Sequence, residues 1–195
     1  MKWINPFVCG FFLGLAILGE NCRMVADSPT AMTESEKKLI LKLQIEALWE
    51  DNTKRIELLG VLKDAESFRT REVAKVLVKR IYYESRLRAG DMPADKRWPV
   101  YGTLKAIGMA AVHPLVEDLK TISIRGKTIV EVVIEQQTNN TMRRGNIVQC
   151  LVDIYDQGGY GKEFARLRIE KELAKCSATE RQNLQDALKD AAFKE

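Results

Sequence analysis

The chain has 195 residues and a formal net charge of +4, with 46% hydrophobic and 30% charged residues. This balance is typical of a globular protein that buries a core, and the length favours a single domain. Five prolines and twelve glycines exclude a fibrous or low-complexity chain.

The N-terminus has the pattern of a secretory signal peptide. Lys2 precedes an unbroken apolar run from Phe7 to Gly19, which is shorter than the roughly 20 residues of a membrane-spanning helix. We predict that 1–28 is a signal peptide and 29–34 a flexible lead. The chain would then pass the membrane only transiently and reach the periplasm or the medium as an extracytoplasmic protein. The alternatives are an uncleaved N-terminal membrane anchor and a buried helix of a cytosolic protein.

Two cysteines, Cys150 and Cys176, remain after removal of 1–28. An oxidising compartment would permit a disulfide between them. The alternative is two separate buried thiols, because Cys150 lies on an apolar helical face and free cysteine buries readily. The absence of C-x-x-C spacing and the presence of a single histidine, His113, argue against a zinc site.

The first part of the predicted domain is helical. Thr33 and Glu36 form a possible capping box. Segment 39–49 alternates like a strand, but its strong helix formers favour a helix. A second helix is predicted at 51–66, with Ile56, Leu59 and Leu62 on its inner side. The third occupies 67–88, and its inward positions are Val73, Val76, Leu77 and Ile81.

The middle of the chain contains breakers that divide it into short elements. Segment 89–99 is predicted to be a loop. Two helices follow within 99–120, with Gly108 ending the first and Pro114 in the first turn of the second. Segment 127–137 is β-branched; a helix is favoured, and a hairpin with 121–124 is the alternative.

The C-terminal part is also predicted to be helical. A helix at 139–157 is closed by Gly158 and Gly159. The next is amphipathic, with Phe164 and Leu167 inward, and Ser177 begins the last helix in a capping box with Glu180.

Residues 99–120 resemble a HEAT repeat, in which a helix ending in "A-L-x-x-I-G" precedes a helix with "A-V-x-P-L". The matching positions are Leu104, Ala106, Ile107, Gly108, Ala111, Val112, Pro114, Leu115, Val116 and Leu119. A short pair also recurs as Leu59-x-x-Leu62, Leu104-x-x-Ile107 and Leu151-x-x-Ile154, at intervals typical of helical repeats. The resemblance implies an all-α domain at 35–193, a degenerate α-solenoid of stacked antiparallel helix hairpins. It also implies a scaffold surface without chemistry.

No catalytic or phosphate-binding motif is present, and His113 has no nucleophile or paired carboxylate near it in sequence. We therefore predict no enzymatic activity, no cofactor and no nucleic-acid partner. The predicted function is a scaffold that binds another protein. The alternatives are a basic helical module that docks on an anionic envelope polymer or membrane surface, and an enzyme of unrecognised type.

One segment combines basic residues with aromatic residues, as protein interfaces often do. The candidate binding surface comprises Lys75, Lys79, Arg80, Tyr82, Tyr83, Arg86, Arg88 and Trp98. A solvated helix face with ordinary half-buried aromatics is the competing interpretation.

Overall fold

The computed structural model describes residues 31–84, 93–124 and 131–193, so the predicted signal peptide lies outside the described residues. Contacts divide the chain after Met32, and every element named below belongs to the unit Thr33–Glu195. The α-helices are α1 Glu34–Leu43, α2 Glu46–Glu50, α3 Arg55–Phe68, α4 Arg71–Val78, α5 Ala94–Arg97, α6 Pro99–Ile107, α7 Met109–Thr121, α8 Glu131–Gln157, α9 Lys162–Leu173 and α10 Ala178–Leu188. Short 3-10 turns occur at Asn52–Lys54 and Ala191–Phe193, and the described residues contain no strand. The predicted all-α class is confirmed.

The helices pack against one another in two rows. Helix α3 packs on α6, and α6 packs on α8; α4 packs on α7, and α7 packs on α10. Helix α9 lies against α8 and α10, while α1 lies against α3 and α4. One contiguous apolar core runs through these contacts, with Leu58, Leu104, Leu115 and Leu151 fully buried. Short helices gain their stability from this packing, because few of them would persist alone.

Side-chain caps fix the beginnings of several helices. The Thr33 hydroxyl accepts a hydrogen bond from the Glu36 amide at 3.2 Å, but the Glu36 carboxylate turns away and accepts one from Thr70, the N-cap of α4. Ser177 and Glu180 form the complete capping box predicted for α10. The first predicted box is thus half formed, because Glu36 joins α1 to α4 instead.

A single residue joins α6 to α7. Gly108 has φ 75° and ψ −137°, a conformation that only glycine adopts without strain. The turn is tighter than predicted, because α7 begins at Met109 and Pro114 lies buried inside it. Pro114 lacks the N–H that would otherwise bond the carbonyl of Ala110, and the packed helix accommodates this loss.

Other boundaries also differ from the predictions. Gln44 and Ile45 divide the predicted helix 39–49 into α1 and α2, and α5 lies within the predicted loop 89–99. Segment 131–137, for which a helix was favoured over a strand, is helical and continuous with the following segment in α8. No glycine or proline separates the two parts, and the Thr141 hydroxyl donates to the Gln137 carbonyl at 2.8 Å.

The inner face of α3 is only partly the predicted one, because Leu62 is buried as predicted. Ile56 is 86% exposed and Leu59 is 41% exposed, whereas Leu58 and Val61 are buried. The buried side is therefore rotated from the predicted one, so that it excludes Ile56 and Leu59 but retains Leu62. Because α3 carries apolar residues on both sides, periodicity alone did not identify the buried side.

Candidate functional site

Two members of the predicted basic and aromatic surface, Arg80 and Tyr83, pack against Trp49 of α2. The ring of Trp49 meets that of Tyr83 edge-on at 5.3 Å between centroids, and the Arg80 guanidinium lies 5.6 Å from the Trp49 centroid. Arg80 also forms an ion pair with Glu46. These contacts join α2 to the end of α4 and occupy Arg80 and Tyr83 with structural interactions.

The remaining members of that surface are dispersed. Lys75 pairs with Glu72 at 2.7 Å, Lys79 is exposed, and Tyr82 is half-buried. The half-buried Trp98 receives Arg97, whose guanidinium carbon lies 4.7 Å from the ring centroid. Arg97 in turn pairs with Glu84 at 2.7 Å. Arg86 and Arg88 lie outside the described residues.

A groove of about 470 Å³ opens between α3 and α6. Its lining comprises Leu59, Leu62, Lys63, Glu66, Asp95, Pro99, Gly102, Thr103, Lys105, Ala106 and Gln157. Gly102 brings α5 close to α6, since a Cβ on it would lie 3.1 Å from the Cβ of Asp95. The groove lining thus combines apolar side chains with charged side chains of both signs.

A hydrogen-bonded carboxylate fixes one side of this groove. Asp153 of α8 accepts hydrogen bonds from Tyr101 and, at 2.8 Å, from Gln149, and it lies 2.9 Å from the ammonium of Lys105. Burial acts to raise the pKa of Asp153, but these partners together hold it below its usual value. Burial and the bond to Asp153 raise the pKa of Tyr101 well above its usual range. The network holds Lys105 in place beside the groove.

Partly buried charges tie α7 to its neighbours. Asp118 of α7 pairs with Arg143 of α8; burial raises the pKa of Asp118 despite this partner. Lys120 lies 2.7 Å from Glu117 and 3.4 Å from Glu172 of α9. Burial acts to raise the pKa of Glu172, but Arg168 and Lys120 lower it overall. Such pairs favour a particular packing more than they add stability.

An exposed aromatic cluster lies where α8 turns into α9. Tyr160 is 46% exposed and Phe164 is 44% exposed, with 5.0 Å between their ring centroids. Tyr155 of α8 packs beneath both rings at 6.2 Å. Leu167, one turn further along α9, is 51% exposed. The prediction that Phe164 and Leu167 point inward is wrong.

Helix α9 buries a different side. Ala165 and Ile169 are fully buried against α8 and α10, and Glu172 is nearly so. The small side chain of Ala165 allows close approach of the helices, whereas Phe164 and Leu167 lie on the opposite side. Apolar residues therefore occur on two faces of α9. The sequence prediction chose the face with the larger side chains, and that face is the exposed one.

The two cysteines and the histidine contact other residues of the helical domain. Both cysteines are buried free thiols, and burial raises the pKa of Cys150. The Cys176 thiol donates to the Glu172 carbonyl at 3.0 Å, and His113 Nδ1 lies 3.8 Å from a Glu117 oxygen. Within the described ranges, no three His, Cys, Asp or Glu side chains are grouped to hold a metal ion. Among the same residues, no helix combines the length and apolar character needed to span a membrane.

Comparison of the chain with known protein families, with curated proteins and with solved structures finds no match. The groove between α3 and α6 and the exposed cluster on α9 were not predicted from the sequence. Large apolar residues that are exposed, such as Leu59 and Phe164, could have indicated both features. Each belongs to a helix whose buried face is made by other residues.

Proposed function

We propose that this protein is a helical scaffold that binds a segment of a partner protein in the groove between α3 and α6. The groove supports this function because exposed Leu59 lies there beside side chains of both charges. Ile56 precedes Leu59 by one turn and extends the exposed apolar stripe of α3. A partner helix or loop with one apolar anchor and flanking charges of both signs would fit this surface.

The charges of the groove favour a protein partner over an anionic polymer. Lys63 and Lys105 lie at the groove, but so do Glu66 and Asp95. Lys63 is paired with Glu66 at 2.5 Å, and Lys105 with Asp153. A surface for a polyanion would present an excess of unpaired cations, whereas a mixed rim gives specificity for one complementary surface.

The arrangement of the helices supports a HEAT-like scaffold as part of this proposal. Successive pairs α3–α4 and α6–α7 pack on each other, α3 on α6 and α4 on α7. In such arrays stability is shared between neighbouring units, and the outer surface remains available for recognition. The signal-peptide pattern of 1–28 supports export, so we place the partner in the periplasm or outside the cell. The mass of the natural protein tests export, since retention of residues 1–28 would contradict it.

Site-directed crosslinking tests the proposed groove. A photo-crosslinking amino acid replaces Lys63 in one chain and Lys189, at the end of α10 and also well exposed, in another. We expect one protein of the envelope fraction to crosslink from position 63 and not from position 189. Leu59→Asp added to the position-63 chain should remove this product, because it replaces an exposed apolar side chain of the groove with a charge.

Leu41→Asp is the matched control, since Leu41 of α1 is 63% exposed and does not line the groove. The crosslinked product should survive this change. Identical products from positions 63 and 189, or a product that Leu59→Asp leaves unchanged, would contradict binding in the groove.

A further inference from the structure

Helix α9 presents an apolar stripe that nothing in the described part of the chain covers. Tyr160, Phe164 and Leu167 are each between 44% and 51% exposed. They are separated by four and then three residues, and the same spacing continues to Lys171 and Ala174, which are also exposed. At about 100° per residue, Phe164, Leu167, Lys171 and Ala174 fall on one side of the helix. Tyr160 precedes the N-cap Gly161 and adjoins this side through its ring contact with Phe164. We call Tyr160, Phe164, Leu167, Lys171 and Ala174 the α9 seam.

Charges of opposite sign border the two edges of the α9 seam. The rotation per residue places Glu163 and Glu170 along one edge, and Arg168 and Lys175 along the other. Lys175 follows the C-cap Ala174, whose backbone is still helical. The spacing of apolar and charged positions is that of a heptad, with the helical positions of the α9 seam at a and d and the acids at g.

We propose that the α9 seam binds the same seam of a second copy of this chain, with the two α9 helices parallel about a two-fold axis. In a parallel pair, the acidic edge of each helix faces the basic edge of the other. Glu163 then lies opposite Arg168 of the second copy, and Glu170 opposite its Lys175. An antiparallel pair would place acid against acid and base against base, so the charges select the parallel arrangement.

The ion pairs that Glu163 and Glu170 make within the chain are weak enough to be replaced by pairs with a second copy. Glu163 and Glu170 lie 2.9 Å and 3.8 Å from Arg166, and all three side chains are at least 40% exposed. Exposed pairs of this kind contribute little and rearrange readily. Arg168 is also 3.5 Å from Glu172 within the chain and can retain that contact at the edge of the interface. Lys171 is an exposed cation on the seam, where it can reach Glu170 of the second copy.

The interface is small, so the dimer should dissociate on dilution. Only Tyr160, Phe164 and Leu167 supply large apolar contacts, well short of the area buried in most stable complexes. Helix α9 is already folded against α8 and α10, however, so pairing orders little of the chain. Lys171 on the seam lowers affinity further but favours one register.

Charge reversal tests the dimer and its direction together. Sedimentation equilibrium of the purified full chain should show dimers at high concentration that dissociate at low concentration. Glu170→Lys alone and Lys175→Glu alone should each weaken dimerisation at least tenfold, because both place like charges opposite each other. An equimolar mixture of the two variants should restore dimerisation, because lysines of one chain then face glutamates of the other.

One substitution on the α9 seam and one away from it test the contribution of apolar contacts to dimerisation. Phe164→Ser should weaken dimerisation at least tenfold, whereas Leu41→Ser, at a residue that is 63% exposed on α1, should leave it unchanged. Circular dichroism of every variant verifies that the helices are retained. A wild-type chain that stays monomeric at high concentration, or a mixture that fails to restore dimers, would overturn the proposal.

Discussion

At the scale of single residues, Asp153 shows how one carboxylate positions the side chains around it. Tyr101, Lys105 and Gln149 all direct donors to it, so three side chains from α6 and α8 depend on its charge. Hydrogen bonds to a charged group are stronger than those between neutral groups. Lys105 lines the proposed binding groove, and its position is therefore coupled to the ionisation of Asp153.

We expect Asp153→Asn to lower the free energy of unfolding by about 1–3 kcal/mol at pH 7, because the charged acceptor is lost. The pKa of Asp153 is lower in the folded state than in the unfolded chain. Its contribution is therefore present above about pH 4, the unfolded value, and is lost as the pH falls through the folded pKa. Urea denaturation at several pH values should show the difference between wild type and variant shrinking towards pH 2.

Asp64→Asn on the exposed side of α3 serves as the control for this pH dependence. It removes a surface carboxylate without breaking such a network, so its effect should stay small. A difference between wild type and Asp153→Asn that persists unchanged at low pH would show that the carboxylate charge is not responsible.

At the scale of the elements, two glycines in helical segments have opposite roles. Gly108 at the junction of α6 and α7 has a positive φ, whereas Gly60 lies inside α3. A Cβ added at either position would meet nothing within 4 Å. Steric crowding by neighbours is therefore equal in the two cases, and only the backbone conformation distinguishes them.

We expect Gly108→Ala to lower the free energy of unfolding by about 1–3 kcal/mol, because alanine is strained at this φ and ψ. Gly60→Ala should raise the same quantity by about 0.5–1 kcal/mol, because alanine is the better helix former. Thermal and urea denaturation of the two variants beside wild type measures both effects. Stabilisation by both substitutions would contradict the strained turn.

Residue patterns located the helices better than they located the helix ends or faces. Val73 and Leu77 in α4 were predicted to face inward, and both are buried. Each belongs to a segment with apolar residues on one side only. In α3 and α9 the pattern was ambiguous, and the neighbouring helices decided which side is buried. Pro114 was misplaced because packing tolerates a proline within α7.

The candidate sites were harder to predict than the fold. Arg80 and Tyr83 were predicted from their residue types, but both contact Trp49, which is distant in sequence. The groove requires α3 and α6 to lie side by side, and no local pattern encodes that juxtaposition. Phe164 and Leu167 were recognised as apolar, yet only the observed packing of Ala165 and Ile169 left them outside.

At the scale of the whole unit, one core connects the first helix to the last. Buried side chains continue from Leu39 in α1 through Leu115 in α7 to Leu184 in α10. Because α7 contacts α4, α8 and α10, it couples the two ends of the core. The unit Thr33–Glu195 should consequently unfold as one cooperative body.

We expect Leu115→Ala to lower the free energy of unfolding by about 2–5 kcal/mol, because it leaves a cavity in a fully buried position of α7. Tryptophan fluorescence and far-ultraviolet circular dichroism should still report a single coincident urea transition, shifted to lower urea. Leu41→Ala, at an exposed position of α1, should change stability by no more than about 0.5 kcal/mol. Separate transitions for the two signals would mean that the core divides into independent parts.

Gly108 alone joins α6 to α7, so the connection between these two packed helices cannot change length without moving one of them. Ile107 on one side and Ala111 on the other are both buried, so an insertion at the junction would turn α7 by about 100° and bring polar side chains inward. The chain from Gly158 to Gly161, by contrast, is surface-exposed or half-buried and already contains two left-handed glycines. Changes in chain length during evolution, and the attachment of reporters in the laboratory, should accordingly lower stability less at 158–161 than at 108.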